Sequence, residues 1–587
     1  MKKLTVLVAA GDRDQALMQL RDLGNVHIEV GEVRSGADIQ TLEGQLEQVD
    51  RALEIVAAID TGPTANESGG TETVTADHIL ELEQQRQALR ERLEELHRQV
   101  QWYVEWGAVS PAVLSRVQKA GLAVRFYRVE KKELGRLSAE DIFYVLGGDG
   151  NQLRIVHVAA VDQAPPAWDS EPMPGLDRTA VEAEIGQVEE ALHQVEYRLQ
   201  TFSNAAESLR AQRRDLQQQV QFQRVKASMG RAGAIAYLQG FSPIESSGLV
   251  EEAAREYGWA CLIEEPGEGD EVPVLIKRAR WAQMVEPVFA FMGTVPGYRE
   301  YDISIWFLLF FSLFFALLIG DAGYGTIFLL VSLLCARKFS AAPRTPFILM
   351  YVLSAATIVW GALSGTWFGY DQVARIPGLN GLVLERLDSF VSANQSFMML
   401  FSFVIGVVHL TIARLIVFRR YFKSLKGLAE LGWIAIIWAL FFVAGNLVLR
   451  RPLPEIALPA LGVGILLVLL FANPRKQVWK GVLQTLSDLP LAVISTFADI
   501  VSYLRLFAVG YASVIVASSF NEMAMGIGFG SVLSGGVAAV VLFLGHGINI
   551  ILGLMAVVVH GMRLNMLEFS GHLNMQWSGK AYKPFRS

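Results

Sequence analysis

The chain has 587 residues, 52% of them hydrophobic and 19% charged, with a net charge of −7 and two cysteines. A net-acidic chain lacks the cationic surface that a phosphate backbone requires, so a nucleic-acid partner is not expected. Cys261 and Cys335 fall in different halves, which leaves neither a disulfide framework nor a cysteine-based metal site and fits a reducing compartment.

Hydrophobicity is unevenly spread: residues 1–300 are rich in Glu, Gln and Arg, whereas 303–572 are nearly continuous membrane-type sequence. A mostly α protein follows, with a soluble half (1–300) before a transmembrane half (301–587). The opening MKKLTVLVAAGDRDQ has a short apolar run and no small-residue cleavage site, and reads as a first strand rather than a signal peptide. LTVLVA (4–9), an amphipathic helix over 12–23 and NVHIEV (25–30) predict a β-α-β start in which His27 is structural. LAVRFYRV (122–129), DIFYVL (141–146) and LRIVHVAA (153–160) predict further strands, and AIAYLQGF (234–241), a helix over about 245–257 and WACLIEE (259–265) follow. Cytoplasmic α/β lobes are thus expected at about 1–35, 108–170 and 230–280.

Between the lobes, Leu42, Leu46, Val49, Leu53 and Val56 repeat at spacings of four and three, as do Leu82, Leu89, Leu93, Leu96, Val100 and Tyr103. Joined through the turn-rich 61–77, these predict an antiparallel coiled-coil arm over about 38–107. Ile185, Val188, Leu192, Val195, Leu199 and Phe202, continued by Leu209, Leu216 and Val220, predict a second arm over about 178–229. Charged heptad helices by themselves indicate rigidity or assembly.

Apolar runs occur at 303–336, 347–369, 392–418, 428–449, 455–473, 485–525 and 531–571, against a need of roughly 20 residues to cross a bilayer. The first run contains Gly320-Asp321-Ala322-Gly323-Tyr324-Gly325, and a basic loop with Arg337, Lys338 and Arg344 follows it. With a cytoplasmic N-terminal half, the positive-inside rule asks that run to turn back on itself, giving about eight spans. Asp321 and Gly323 then serve the turn as structural residues. Arg419, Arg420, Lys423 and Lys426, then Arg475, Lys476 and Lys480, then Lys580, Lys583 and Arg586 fall inside, while Arg450 and Arg451 dissent. Both termini are expected on the cytoplasmic side. The last two runs are each about 40 residues, or about 60 Å of helix, so they must tilt, kink or protrude.

Arg505 and Arg563 lie deep in those two runs, where a cation costs at least about 2.5–3.5 kcal/mol and persists only beside a partner or a watery path. His546, Asn549, Gly553, Ala556, His560 and Arg563 recur at spacings of three and four, a single polar stripe on an otherwise apolar helix. The preceding helix adds Asp499, Ser502 and Tyr503 on one side of Arg505 and Glu522 on the other. Arginine stays protonated, so it cannot relay a proton, but it can keep a neighbouring carboxylate ionised and block a leak. No acidic residue accompanies either arginine at mid-membrane depth in this reading, so the carboxylate is expected from another subunit. His409 in IGVVHLTIARL reads as a helix-packing hydrogen bonder. No GxxxxGK[ST] occurs, so the chain is not expected to be an enzyme or to hold a nucleotide, cofactor or metal. A secondary transporter with a cytoplasmic regulatory coiled-coil domain is the alternative, but it calls for internal repeats that the sequence does not display.

FADIVSYLRLFAVG (497–510), GHGINIILGLMAVVVHGMRLNMLEF (545–569) with YKPF (582–585), and FSLFFALLIGDAGYG (311–325) are specific stretches, supported by IVWGALSGTWFG (358–369), IGVVHL (405–410), VPGYREYD (295–302) and LGNVHIEV (23–30). On these, in this order, the chain resembles nearly end to end the V/A-type (vacuolar/archaeal-type) rotary ATPase membrane stator, called subunit I in bacteria and archaea and subunit a in eukaryotes. It departs at Asp302-Ile303-Ser304, where relatives commonly carry proline after the aspartate. The resemblance implies a multi-pass subunit of the cell (inner) membrane that embraces a proteolipid ring, with its soluble half linked to peripheral stalks and the central rotor cap subunit. It implies that Arg505 and Arg563 separate two ion half-channels for H⁺ or Na⁺ and meet the ring carboxylate, with His560 at a polar position of the motif. It also puts Asp499 and Glu568 near the cytoplasmic half-channel and His546, Asn549 and Glu522 near the outer one.

Overall fold

Leu4, Val6 and Val8 turn inward at every second position of β1 (Lys2–Ala9), the period of a half-buried strand. The computed structural model describes residues 1–587 apart from 30–35, 60–74, 134–141, 150, 164–165, 167, 341, 474–477 and 587; most of the expected tip at 61–77, and Arg475 and Lys476, lie outside the described residues. Two compact units divide the chain: Thr5–Gly240 with Leu249–Leu262 and Phe585–Ser587, and Met1–Leu4 with Phe241–Gly248 and Ile263–Pro584.

In the first unit, α1 (Arg13–Leu23) ends at Gly24, whose φ of 62° suits a left-handed cap, and β2 (His27–Ile28) follows. Next come α2 (Ala37–Ala58), α3 (Ala76–Trp106), α4 (Pro111–Lys119), β3 (Leu122–Glu130), β4 (Ile142–Asp149), β5 (Gln152–Ala160) and β6 (Ser170–Glu171). The last four strands form an antiparallel sheet in the order β4-β5-β3-β6. Then come α5 (Arg178–Thr201), α6 (Ala206–Ser228), β7 (Gly230–Ala232), β8 (Ile235–Ser242), α7 (Ser247–Tyr257) and β9 (Ala260–Glu264). The strand order β2-β8-β1-β9, with β7 on β8, joins residues from about 1–35 and 230–280 in one sheet, where the sequence suggests separate lobes.

The heptad seams also find partners that the sequence does not specify. Val49, Ala52 and Val56 of α2, Ile79 and Leu82 of α3, Val195 and Leu199 of α5, and Leu209 and Leu216 of α6 share one apolar cluster. α2 packs on α6 and α3 on α5, and Arg213–Asp50 (2.7 Å), Arg92–Glu184 (2.6 Å) and Arg90–Glu196 (2.6 Å) bridge the same pairs. A seam identifies a helix's buried face but not every helix it meets: α2 and α3 of the expected first arm touch each other and also pack on α6 and α5 of the second. Lys226 on α6 holds the Asp14 carboxylate of α1, 2.6 Å away, below the usual aspartate range.

The second unit contains β10 (Pro273–Val274), α8 (Glu286–Met292), α9 (Ser304–Ile319), α10 (Ala322–Lys338), α11 (Thr345–Leu363), α12 (Asp371–Ala374), α13 (Gln395–Tyr421), α14 (Lys426–Leu449), α15 (Ala457–Phe471), α16 (Val478–Ser502), α17 (Leu504–Ile527) and α18 (Val532–Ala556). π-helical turns at Val557–Gly561 and Leu564–Phe569 prolong α18, and β11 (Lys580–Ala581) pairs in parallel with β10. Among the described residues, five helical stretches are long and apolar enough to cross a membrane: Thr345–Leu363, Ser392–Tyr421, Lys426–Leu449, Trp479–Ile527 and Val532–His572. α9 and α10 are each shorter and meet at a 119° bend, and α15 is a shorter apolar helix. Phe307, Phe311, Phe314, Phe403 and Ile436 are among the buried residues of a large aromatic and aliphatic core that holds these helices together.

Candidate functional site

The turn between α9 and α10 is organised by Asp321, which is buried. Its Oδ1 accepts from the N–H groups of Gly323 (2.8 Å), Tyr324 (3.2 Å) and Phe368 (2.9 Å), and its Oδ2 accepts from Gly369 (2.9 Å). The first two are donors that the start of α10 leaves unpaired; the others tie down the 364–370 loop, where Phe368 adopts φ 53°. A Cβ at Gly323 would lie 2.6 Å from the Phe368 ring, so this position needs glycine.

The long run over 485–525 is not one continuous helix. It breaks at Tyr503 between α16 and α17. Tyr503 is buried over Gly406, where a Cβ would meet its ring at 2.5 Å, and its hydroxyl lies 2.9 Å from His409 Nδ1. His409 stacks between Phe310 and Phe569, with ring centroids 3.9 and 4.2 Å away. The break brings Ser502 beside Arg505, which donates from Nη2 to the Ser502 hydroxyl (2.8 Å) and from Nη1 to His560 Nδ1 (3.3 Å). Ser502 in turn donates to Glu568 Oε1 (2.9 Å), and Arg563 Nε lies 3.4 Å from that same oxygen.

This geometry corrects the expectation that no acidic residue of the chain accompanies the arginines. In a regular α-helix, residues five apart point about 140° away from each other. The π turns bond i to i+5 and bring Arg563 and Glu568 onto one side. They also end the expected stripe. His546, Asn549, Gly553 and His560 remain buried or half-buried, but Arg563 turns to the exposed apolar face with Val559 and Leu567, its side chain 53% exposed against 4% for Glu568. The second oxygen of Glu568, Oε2, is buried and has no hydrogen-bond partner among the described residues.

Two further polar clusters flank this centre. In one, Asp499 Oδ2 faces His572 Nε2 at 3.1 Å, Arg414 Nε donates to His572 Nδ1 (3.1 Å), and Arg414 Nη1 donates to Glu430 (3.2 Å). Because Arg414 can only donate, His572 accepts at Nδ1 and presents its N–H to Asp499. Arg414 also lies over the Trp433 ring, 5.0 Å from its centroid. Sequence reasoning missed Arg414, Glu430 and His572, although a third arginine within the apolar run of α13 was a readable signal.

In the other cluster, His546 contacts the Tyr324 hydroxyl (2.8 Å) and Asn521 Oδ1 (3.1 Å), and Asn549 donates to Tyr324 (3.0 Å) and to the Ser513 carbonyl (2.9 Å). Asn521 is the residue of this turn that meets His546; Glu522 is exposed and joins none of these bonds. Among the described residues, no group of three or more His, Cys, Asp or Glu is arranged to hold a metal ion.

No protein-family model matches the chain. The V-type ATP synthase subunit I 1 of Treponema pallidum (strain Nichols) is 31% identical over 624 residues, covering 100% of this chain and 99% of that protein. The V-type ATP synthase subunit I of Borreliella burgdorferi is 31% identical over 607 residues, again covering 100% and 99%. The A-type ATP synthase subunit I of Methanocaldococcus jannaschii is 24% identical, covering 62% of this chain and 56% of that one. A solved crystal structure of the cytoplasmic N-terminal domain of subunit I, homolog of subunit a, of V-ATPase is 20% identical over 45% of this chain and 100% of that one, with a TM-score of 0.27.

Proposed function

The chain belongs to the subunit I family of V-type and A-type ATP synthases, and from that premise we propose that its membrane half is the stator wall past which a proteolipid ring carries ions. Membership in this family sets aside the secondary-transporter alternative. ATP is made or hydrolysed on other subunits, and the soluble half links the wall to peripheral stalks and the central rotor cap subunit. The apolar helices cross the bilayer about eight times, counting α9 and α10 as a hairpin, with both termini cytoplasmic. The basic Arg337, Lys338, Arg419, Arg420 and Lys480 support that orientation.

The observation that carries the reading is the position of Arg505 between two polar clusters. Along the last helix, His546 lies 14 residues before His560 and His572 lies 12 after it, about 20 Å of helix in each direction. The Asn521–His546–Tyr324–Asn549 cluster serves the outer half-channel, and the Asp499–His572 cluster with Glu568 serves the cytoplasmic one. Glu522 is exposed near the outer cluster and belongs to its entrance. Arg505 has two neutral partners, Ser502 and His560, whereas Arg563 is paired with Glu568. Arg505 is therefore the cation left to receive an ionised ring carboxylate, and its fixed charge keeps ions from passing directly between the half-channels. Arg563, with Val558, Val559 and Leu567 on the exposed face, lines the surface towards the ring.

Each charge that crosses exchanges about 2.3 kcal/mol per 100 mV, so several ions are summed per ATP. The test is Arg505→Ala in the assembled complex. Coupled H⁺ or Na⁺ transport should be abolished with assembly intact, and Arg563→Ala should impair transport less completely. Normal ATP-driven pumping by Arg505→Ala removes the role assigned to it.

A further inference from the structure

Tyr324 belongs to the membrane turn, and the sequence gives it no task beyond packing. Its hydroxyl nevertheless occupies the middle of a hydrogen-bond chain whose direction is fixed at both ends. At one end, Asn549 Nδ2 lies 2.9 Å from the Ser513 carbonyl, an atom that can only accept. That settles the Asn549 amide orientation, so the same NH₂ group donates to Tyr324 Oη at 3.0 Å. At the other end, Asn521 Nδ2 donates to the Phe368 carbonyl at 2.7 Å, which turns Oδ1 of Asn521 towards His546 Nε2, 3.1 Å away. His546 must therefore donate from Nε2, and its Nδ1 accepts the single Tyr324 hydroxyl hydrogen at 2.8 Å.

We propose that Tyr324 is a positioning residue for ion transfer: together with Asn521 at Nε2 it holds His546 in the Nε2–H tautomer by filling Nδ1, so that His546 passes a proton only in concert with the tyrosine hydroxyl. The imidazole has no free lone pair in this arrangement. A proton arriving at Nδ1 requires Tyr324 to turn its hydrogen away and Asn549 to yield its bond, so the three residues switch together. Both backbone anchors are themselves held: Phe368 is clamped through its N–H by Asp321, and Ser513 lies within α17. The turn motif thereby acquires a role in transfer that Asp321, with both carboxylate oxygens occupied by N–H groups, does not share. The proposal rests on the half-channel reading of the His546 cluster.

The experiment uses the assembled complex in lipid, labelled with ¹⁵N-histidine and observed by solid-state NMR, with the His546 signals identified as those lost in His546→Gln. The wild type should give one His546 tautomer, protonated at Nε2. Tyr324→Phe should give a mixture of tautomers and about tenfold slower ATP-driven pumping, the size expected for one lost positioning hydrogen bond. Asn549→Val, which removes the donor to the tyrosine oxygen and so leaves that oxygen able to accept from a protonated Nδ1, should do the same without touching the tyrosine. An unchanged single tautomer in both variants overturns the proposal, as does wild-type pumping by both while His546→Gln pumps poorly. Undiminished pumping by His546→Gln overturns instead the half-channel reading on which the proposal stands.

Discussion

Replacing Asp321 separates a structural carboxylate from an ion-handling one. Four N–H groups converge on it, two opening α10 and two from the 364–370 loop. In that loop Phe368 holds φ 53°, a conformation that costs a non-glycine residue about 1–3 kcal/mol. Asp321→Ala leaves all four donors without that acceptor, three of them in buried bonds. At about 1 kcal/mol each, the low end for a stranded donor, the chain loses about 4 kcal/mol, close to three decades in the folding equilibrium. Asp321→Asn retains Oδ1 and its three donors, loses the Gly369 bond and sets one N–H against another, at a cost of about 1–3 kcal/mol. Denaturant unfolding in lipid nanodiscs, with amide exchange read at 364–370, measures both. Asp321→Ala within about 1 kcal/mol of wild type refutes the capping argument. Native stability in Asp321→Asn combined with lost ion transport would show that the carboxylate handles ions after all.

Three further outcomes follow from the packing and charges. A Cβ on Gly510 would sit 2.2 Å from the Leu317 carbonyl oxygen, so Gly510→Ala should force α17 off α9 and cost about 1–3 kcal/mol. Gly526→Ala on the same helix meets nothing within 4 Å and should be neutral or stabilising, with both read from the same unfolding curves. Arg414→Ala strands the buried Glu430 carboxylate and should destabilise by about 3–5 kcal/mol, whereas Arg414→Met with Glu430→Leu should recover most of that; equal losses in the two would show that the charges are not paired. In the first unit, Lys226 holds the Asp14 pKa below that of the unfolded chain, so the pair's stabilisation is present above the unfolded value of about 3.9 and is lost as pH falls through the lowered folded one. Asp14→Asn should raise amide exchange in α1 and α6 at neutral pH and match wild type at the acid end, and a constant difference across that range would exclude the linkage.

Helix positions, strand positions and the two anomalous arginines were legible because each is a local pattern. Alternating burial marks β1, and apolar runs mark α11, α13 and α14 without reference to any other segment. The same logic placed Arg563 on the stripe of His546 and Asn549 by assuming 3.6 residues per turn throughout. Two π turns broke that assumption, and no composition rule announces them. Arg414 is likewise a charge in an apolar helix, α13, but its partners Glu430 and His572 lie 16 and 158 residues away.

By itself the sequence determined which segments are helical, which faces are apolar, that one half is membrane-type, and that Arg505 and Arg563 require partners. Only the tertiary structure decided who those partners are: Ser502 and His560 for Arg505, Glu568 for Arg563, Tyr324 for His546, and α6 rather than α3 as the main neighbour of α2. The reason is range. Propensity and periodicity act over a few residues along one element, whereas a hydrogen bond such as that between Tyr324 and His546 joins residues 222 apart. Its existence depends on how whole helices cross and where their regular turns fail.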